Sequence, residues 1–465
     1  MKILRIEAGC SPPVASVAPL THAIMKDVPE SSPSTSSVPV VSTSPFLSQS
    51  ARWKWLTPRK KLWIAVIIAH VVFFVGLSAQ VFAGGVEGDL GLYRKWSQSG
   101  FLVNYWPGLD YAWVYPSGAL APLAFANLFG PGLFLAMWLL LTFALNIASF
   151  FALLGRSTNA RRLTASWWWL VILIILSPVA LLRLDGITAP MIIIALVYMA
   201  KRPRFAGFMI AAATWIKVWP AAFFLAMLTN LRQWRKLVIA GIVTSVVVIG
   251  AVVASGGGAF LFSFISAQGS RNLQLEAPIT TPWLWLSLLN VPGFDRAYGI
   301  ELATWEVTGP GAEIASSLMN VAMASAVLVV FILLIRARMR QAAVEDVMLM
   351  GAFAFVAALI VFNKVGSPQY MLWLAPIIAV ALTHGLTKWR FPALLMLAIS
   401  VATTLVFPVL YMPLIYGSRW VAILLTLRNL MLMVLLGWSL MRLYQLGKKP
   451  TLPVDTNSIA THPAK

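Results

Sequence analysis

The sequence predicts an all-α protein, a polytopic transmembrane helical bundle, on three observations. Apolar residues make up 60% of the chain and charged residues 11%, with a mean hydropathy of +0.82. No soluble fold of this length covers so much apolar surface with so few charges. Apolar stretches of about 18–25 residues recur, each long enough to cross a hydrocarbon layer of about 30 Å. Lys and Arg gather in the short segments between those stretches, the pattern of cytoplasmic loops. Helices follow because each crossing must satisfy its own backbone hydrogen bonds in lipid. The net charge of +20 sits in the same loops, so it is read as membrane topology and not as a nucleic-acid surface. The lone cysteine, Cys10, excludes an internal disulfide framework.

Each element is then placed in order. Residues 1–60 read as a disordered cytoplasmic tail: Ser31-Ser32-Pro33-Ser34-Thr35-Ser36-Ser37 and its surroundings have no helical period. The tail lacks the apolar core of a signal peptide, so the first membrane signal is the span at 62–82. Arg52, Lys54, Arg59, Lys60 and Lys61 precede that span and put its start in the cytoplasm. The loop at 84–117 is then outside, whereas Arg156, Arg161 and Arg162 belong inside. A single crossing at 133–154, after the break Gly130-Pro131-Gly132, meets both demands and leaves 118–129 as an interfacial helix in the first outer loop. Two plain spans would strand three arginines outside.

Spans at 167–182 and 187–200 put Arg183-Leu184-Asp185-Gly186 outside and Lys201-Arg202-Pro203-Arg204 inside. Residues 205–228 are followed by Arg232, Arg235 and Lys236, so both of their ends are cytoplasmic. A pair of short helices bent at Lys217-Val218-Trp219-Pro220 satisfies this, since proline ends helices. A span at 237–254 leads to a long outer segment, 255–312, with Gly256-Gly257-Gly258 and an apolar piece at 283–289 that dips into the membrane. Spans at 313–335, 344–362, 368–383, 391–410 and 420–444 finish a membrane domain at 61–445 of about 10–13 helices, half-spans included. Residues 446–465, with Lys448 and Lys449, form a cytoplasmic tail. No repeat of fixed period marks an inverted-repeat transporter.

A second set of charges falls at the outer boundary: Asp89, Arg94, Arg183, Asp185, Lys217, Arg271, Glu276 and Lys364. Ionisable groups at membrane depth cost about 2.5–3.5 kcal/mol each on insertion scales and usually line a polar cavity. Several cations together suit a phosphate, and a carboxylate beside them suits a base. Each residue also has a plainer reading. Asp89 is placed to cap a short helix, or with Glu87 to hold a divalent cation. Lys217 is placed to snorkel to the interface. Arg183 and Asp185 are placed to pair with each other across their loop. The aromatic run of Tyr105, Trp106, Tyr111, Trp113 and Tyr115 fits an interfacial belt as well as a surface for sugar rings. Lys364 lies in Asn363-Lys364-Val365-Gly366-Ser367-Pro368-Gln369-Tyr370, polar residues at the mouth of two apolar spans.

Taken together, these segments resemble glycosyltransferase family 87. Asp89 with Tyr93, Tyr115-Pro116 before an apolar interfacial helix, Ile216-Lys217-Val218-Trp219-Pro220, and Ser367-Pro368-Gln369-Tyr370 match that family's order. Ser270-Arg271-Asn272-Leu273-Gln274-Leu275-Glu276 is similar to its arginine-to-glutamate loop, with Asn272 where glycine is commoner. The resemblance runs from about residue 62 to 444 and leaves the tails uncovered. It implies a C-type glycosyltransferase bundle in the inner membrane, with both termini cytoplasmic and the active site on the non-cytoplasmic face. It further implies inverting transfer of a sugar from a polyprenyl-phosphate donor to a lipid-linked envelope glycan. Mannose is the first expectation; arabinofuranose is an alternative, and a polyprenyl-phosphate flippase or transporter is the rival from another class. Asp89 would be the general base, and Lys217, Arg271 and Lys364 would hold the phosphate. Arg183, Asp185, Glu276, Gln369, Tyr93 and Tyr115 would complete substrate binding, with no metal and no cofactor.

Overall fold

The computed structural model describes residues 56–86, 88–156, 159–228, 234–269, 271–299 and 304–448. The expected N-terminal tail up to residue 55, the C-terminal tail from Lys449, and Glu87, Arg232 and Ser270 lie outside the described residues. The described chain is a multi-pass membrane protein built almost wholly of helices. Thr57 caps the first, α1 (Pro58–Gly76), by accepting from the Lys60 amide, with Pro58 at its first position. After α2 (Ser78–Phe82) and α3 (Leu90–Val103) comes a short helix, α4 (Leu120–Asn127), then α5 (Phe134–Leu154). Gly130, at φ 89°, makes the turn between them where the sequence breaks. Next come α6 (Ala160–Leu176), α7 (Val179–Leu182), α8 (Asp185–Tyr198), α9 (Pro203–Ile216) and α10 (Ala221–Leu228). The region read as two short helices bent at residues 217–220 is α9 and α10. Beyond it lie α11 (Trp234–Ala254), α12 (Ser263–Gly269) and α13 (Thr281–Leu288), then α14 (Ala312–Met339) and α15 (Val344–Val361). The chain ends in α16 (Met371–His384), α17 (Leu386–Thr404), α18 (Tyr411–Ile415) and α19 (Arg419–Leu446).

Among the described residues, six helical stretches are long and apolar enough to cross a membrane. Burial separates their roles: 78% of the apolar window of α15 is inside the protein, against 11% for α14 and 17% for α11. An apolar helix that stays exposed has hydrocarbon as its solvent, so α11 and α14 are the lipid-facing wall and α15 the axis of the bundle. Shorter helices such as α8 and α9, 14 residues each, span about 21 Å at about 1.5 Å per residue. They stop short of a full crossing, and their ends leave polar side chains inside the protein.

Within the long outer segment at 255–312, one element departs from the all-α reading. Strands β1 (Asp295–Gly299) and β2 (Thr304–Thr308) form an antiparallel pair with Ala297 opposite Glu306. Residues 273–275 extend it sideways: Val307 N donates to Leu273 O (3.0 Å) and Leu275 N to Trp305 O (2.9 Å). Gln274 N in turn donates to Lys364 O at 2.9 Å. A small ladder therefore runs from the hairpin to the loop between α15 and α16.

The two ends of the bundle carry different charge. At one end Arg59 donates to Gly155 O, Arg161 donates to His384 O, and Lys388 pairs with Asp346 at 2.7 Å. These are the basic loops picked out in the sequence. The opposite end holds the start of α8, the end of α9, the start of α14 and the turn from α15 to α16. It is there that the unusual charges meet.

Candidate active site

The turn from α7 into α8 sets the first pairing. Arg183 takes an extended conformation (φ −126°, ψ 156°) after α7, and Asp185 then begins α8. That one extended residue sends the two side chains apart. Arg183 Nη1 forms an ion pair with Asp89 Oδ2. Asp185, fully buried, accepts from Lys217 Nζ at 2.5 Å through Oδ2 and from Trp373 Nε1 at 2.6 Å through Oδ1. Arg183 and Asp185 thus pair with partners from other elements instead of with each other. Asp89 stands at the entry to α3 but makes no side-chain bond to that helix, so it is an ion-pair partner and not a cap. Burial pushes its carboxyl up from the ordinary value, while Arg183 and then Lys217 pull it back down.

Lys217 ends α9 in an extended conformation, which carries its ammonium away from the helix axis. Nζ lies 5.6 Å from the Tyr115 ring centroid and 5.8 Å from that of Tyr370, within cation–π range. Tyr115 is brought there by close packing. Gly118 lies against α9 so tightly that a Cβ would fall 2.7 Å from Trp215 O. Behind the lysine, Trp219 stacks on Trp373 at 5.8 Å and 8° and donates to Thr188 Oγ1 at 3.2 Å. Tyr93 is buried, edge-on to Tyr115 at 6.1 Å and against Trp138 at 5.4 Å. Trp113 packs into the same cluster, whereas Tyr105 and Tyr111 stack on each other at 4.7 Å farther out. The aromatic run therefore divides between packing (Trp113, Tyr115) and a more exposed pair.

Lys364 reaches the same region from the turn between α15 and α16. Gly366 N donates to Gln274 Oε1 at 3.0 Å, and Asn363 Oδ1 accepts from Val365 N at 2.9 Å. A Cβ on Gly366 would overlap the backbone of Glu276 and Ala277, so only glycine lets the two loops touch. Lys364 is 6% exposed, and burial lowers its ammonium below the ordinary lysine range. Glu276 is 3% exposed; burial raises its carboxyl, against the opposing hydrogen bond from Tyr411 and the charge of Arg428. Arg428, buried within α19, donates to Glu276 O at 3.0 Å. Asn429 beside it donates to Thr281 Oγ1 at 3.2 Å. This pair pins the 276–281 loop to the bundle. Gln369 is buried, and its Oε1 has no protein partner.

Two cavities open on this cluster. One, of about 480 Å³, is walled by apolar and aromatic side chains including Phe264, Ile265, Met323 and Leu359, and both Lys217 and Lys364 face it. The other, of about 630 Å³ and the more polar of the two, sets Arg271, Asn272, Thr308 and Glu313 among Leu273, Val307 and Ile314. Lys364 and Asn320 line both. Of the sequence-derived set, Lys217, Lys364 and Tyr115 line the apolar cavity, and Arg271 and Lys364 the polar one. Asp89, Arg183, Tyr93, Asp185, Glu276 and Gln369 line neither cavity; Asp89 pairs with Arg183, two residues from the Asp185 that pairs with Lys217. Sequence reasoning missed Trp373, Tyr370 as a ring over Lys217, Asn320 and Arg428. Two of these carried a signal: Asn320 and Arg428 are polar side chains inside long apolar helices. Trp373 carried none, because an aromatic near a helix start usually packs. Among the described residues, no three His, Cys, Asp or Glu side chains converge as metal ligands do.

With this geometry in place, the chain can be compared with known proteins. The model of glycosyltransferase family 87 matches residues 113–288, which include Tyr115, Arg183, Asp185, Lys217, Arg271 and Glu276 and leave out Asp89 and Lys364. No curated protein matches the chain. A crystal structure of ArnT from Cupriavidus metallidurans bound to undecaprenyl phosphate is similar at 14% identity. That match covers 83% of this chain and 77% of ArnT, with a TM-score of 0.42. The apo state of the same protein is similar at 16% identity over 81% and 77% of the two chains, with a TM-score of 0.39.

Proposed function

We propose that this membrane protein is an inverting glycosyltransferase that takes a sugar from a polyprenyl-phosphate donor and adds it to a hydroxyl of a lipid-linked envelope glycan. The observation that carries this reading is the meeting of Lys217 and Lys364 on one apolar cavity, beside the Asp89–Arg183 pair. An apolar chamber suits a prenyl chain, and two cations at its polar edge suit the phosphate that heads it. The match of residues 113–288 to glycosyltransferase family 87 supports sugar transfer as the chemistry. The undecaprenyl phosphate bound to ArnT is the same class of lipid. Mannose is the sugar that the family resemblance implies.

The reaction assigns each group one task. The Asp89 carboxylate takes the proton of the acceptor hydroxyl as that oxygen attacks the anomeric carbon. The bond from the anomeric carbon to the phosphate oxygen breaks on the opposite face, and its electron pair leaves with the lipid phosphate. Lys217 and Lys364 stabilise the charge gathering on that phosphate, and Arg271 adds to the field from the polar side. Arg183 keeps Asp89 ionised against its burial and holds the carboxylate in place. Asp185 and Trp373 fix the Lys217 ammonium, so little reorganisation is needed as charge develops. The excess of Lys and Arg at the other end of the bundle supports a cytoplasmic location for that end, with the site and the envelope on the same side of the membrane.

Reconstitution in liposomes tests the proposal. With mannosyl polyprenyl phosphate and a lipid-linked mannoside, we expect mannose transfer with inversion at the anomeric carbon. Translocation of the donor head group without transfer would instead identify a flippase.

A further inference from the structure

We infer that the polar cavity of about 630 Å³ is a second substrate subsite, which receives the sugar units of the acceptor glycan beyond the one that reacts. This rests on the glycosyltransferase reading and adds to it a binding site and a requirement on acceptor length. The cavity is roofed by the end of β2 and floored by the first turns of α14. Its chemistry is mixed: Arg271 donates, Glu313 accepts, and Asn272, Thr308, Ser317 and Asn320 do both. An apolar chain would strip water from these groups without replacing their hydrogen bonds. A compact anion would be drawn to Arg271 and Lys364 and repelled by Glu313, and it would leave the donors and acceptors of Asn272, Thr308, Ser317 and Asn320 unmatched. A carbohydrate presents hydroxyls that donate and accept by turns, and it satisfies the whole set. The volume falls within the range of about 300–1,000 Å³ usual for small-molecule sites.

The position of the cavity fixes which part of the acceptor it holds. Lys364 and Asn320 belong to both chambers, so they form the saddle between the polar cavity and the one assigned to the donor. Asp89 pairs with Arg183, two residues from the Asp185 that holds Lys217, and Lys217 lines the donor cavity and not the polar one, so Asp89 belongs to the donor side of the saddle. A hydroxyl attacking near Asp89 therefore belongs to a sugar that has crossed the saddle, and its neighbours in the chain occupy the polar cavity. A monosaccharide acceptor reaches the reacting position but leaves those contacts unmade.

The ladder explains how such a cavity is held open. β2 bonds to residues 273 and 275, and Gln274 bonds to the Lys364 carbonyl. The hairpin wall and the saddle thus move as one piece, and the two chambers keep a fixed spacing.

The test compares octyl α-mannoside with octyl α-mannobioside as acceptors for mannosyl polyprenyl phosphate, using the full-length protein in liposomes. In the wild type, KM for the disaccharide should be at least fivefold lower. Ser317→Trp, on an exposed face of α14, fills the cavity, and the preference should fall below twofold. Thr308→Tyr, on the opposite wall, should act the same way. Leu318→Trp places the same bulk one residue away, off the cavity, and should keep the wild-type preference. Equal KM values in the wild type, or an undiminished preference in both cavity variants, would overturn the subsite while leaving glycosyl transfer intact. Absence of any transfer by the wild type to either acceptor would overturn the mannosyltransferase reading and the subsite with it.

Discussion

Asp89 and Asp185 lie in one charged cluster, yet their surroundings give them different work. Asp185 is fully buried and both its oxygens are engaged, so it orients Lys217 and is poorly placed to accept a proton. Asp89 has one strong partner and partial exposure, which suits a base. Asp89→Asn should lower kcat by about 10²–10⁴-fold, the usual contribution of a general base, while donor affinity in a binding assay stays within about twofold. Near-normal turnover would remove the assignment. Burial raises the Asp89 carboxyl and Arg183 lowers it, so the pH profile carries a sign. The base works ionised; kcat/KM should fall as pH drops through a value above the usual range of about 3.9 for aspartate. Arg183→Gln removes the cation that favours ionisation, so that acidic limb should move to higher pH. A limb that stayed in place would show that another group is titrating.

The elements around the site act through a few contacts with no slack. Lys217 and Lys364 come from separate turns, one ending α9 and the other joining α15 to α16. What holds the second turn is Gly366 against the Glu276–Ala277 backbone, itself tied to α19 by Arg428. Gly366→Ala forces a methyl group into that backbone, and overpacking of this kind costs about 1–3 kcal/mol. We expect a lower thermal midpoint together with weaker donor binding, measured on one preparation. An unchanged donor affinity would mean that the turn does not position Lys364. Asp185→Asn probes the first turn. It leaves Lys217 without its counter-charge in a buried setting, where breaking a pair costs about 3–5 kcal/mol. Donor KM should rise at least as much as in Lys217→Ala.

Over the whole molecule, the charges sort to opposite ends of the bundle, and that asymmetry gives the protein an orientation. In a Cys10→Ser background, Tyr298→Cys on the hairpin and Thr387→Cys at the start of α17 lie at the two ends. A membrane-impermeant thiol reagent applied to intact spheroplasts should label the first and reach the second only after permeabilisation. The reverse pattern would put the site in the cytoplasm and end the proposal of an envelope acceptor.

That the chain is a helical membrane bundle is legible in its residues alone, because apolar length and loop charge are local quantities that lipid reads directly. The sequence also singled out Asp89, Arg183, Asp185, Lys217, Arg271 and Lys364, because a charge at membrane depth is too costly to be incidental. It placed the bend at 217–220, since Pro220 states it outright. Which charge meets which depends on how the helices pack. Arg183 and Asp185, two residues apart, found partners 94 residues upstream and 32 downstream, a choice made by the packing of α7, α8 and α9. The pair of strands β1 and β2 was equally hidden: Asp295–Gly299 shows no alternation, and the five alternating residues Thr304–Thr308 are too short a run to declare a strand without the ladder to residues 273–275. The two cavities are spaces between elements, and no single stretch of sequence encodes a space.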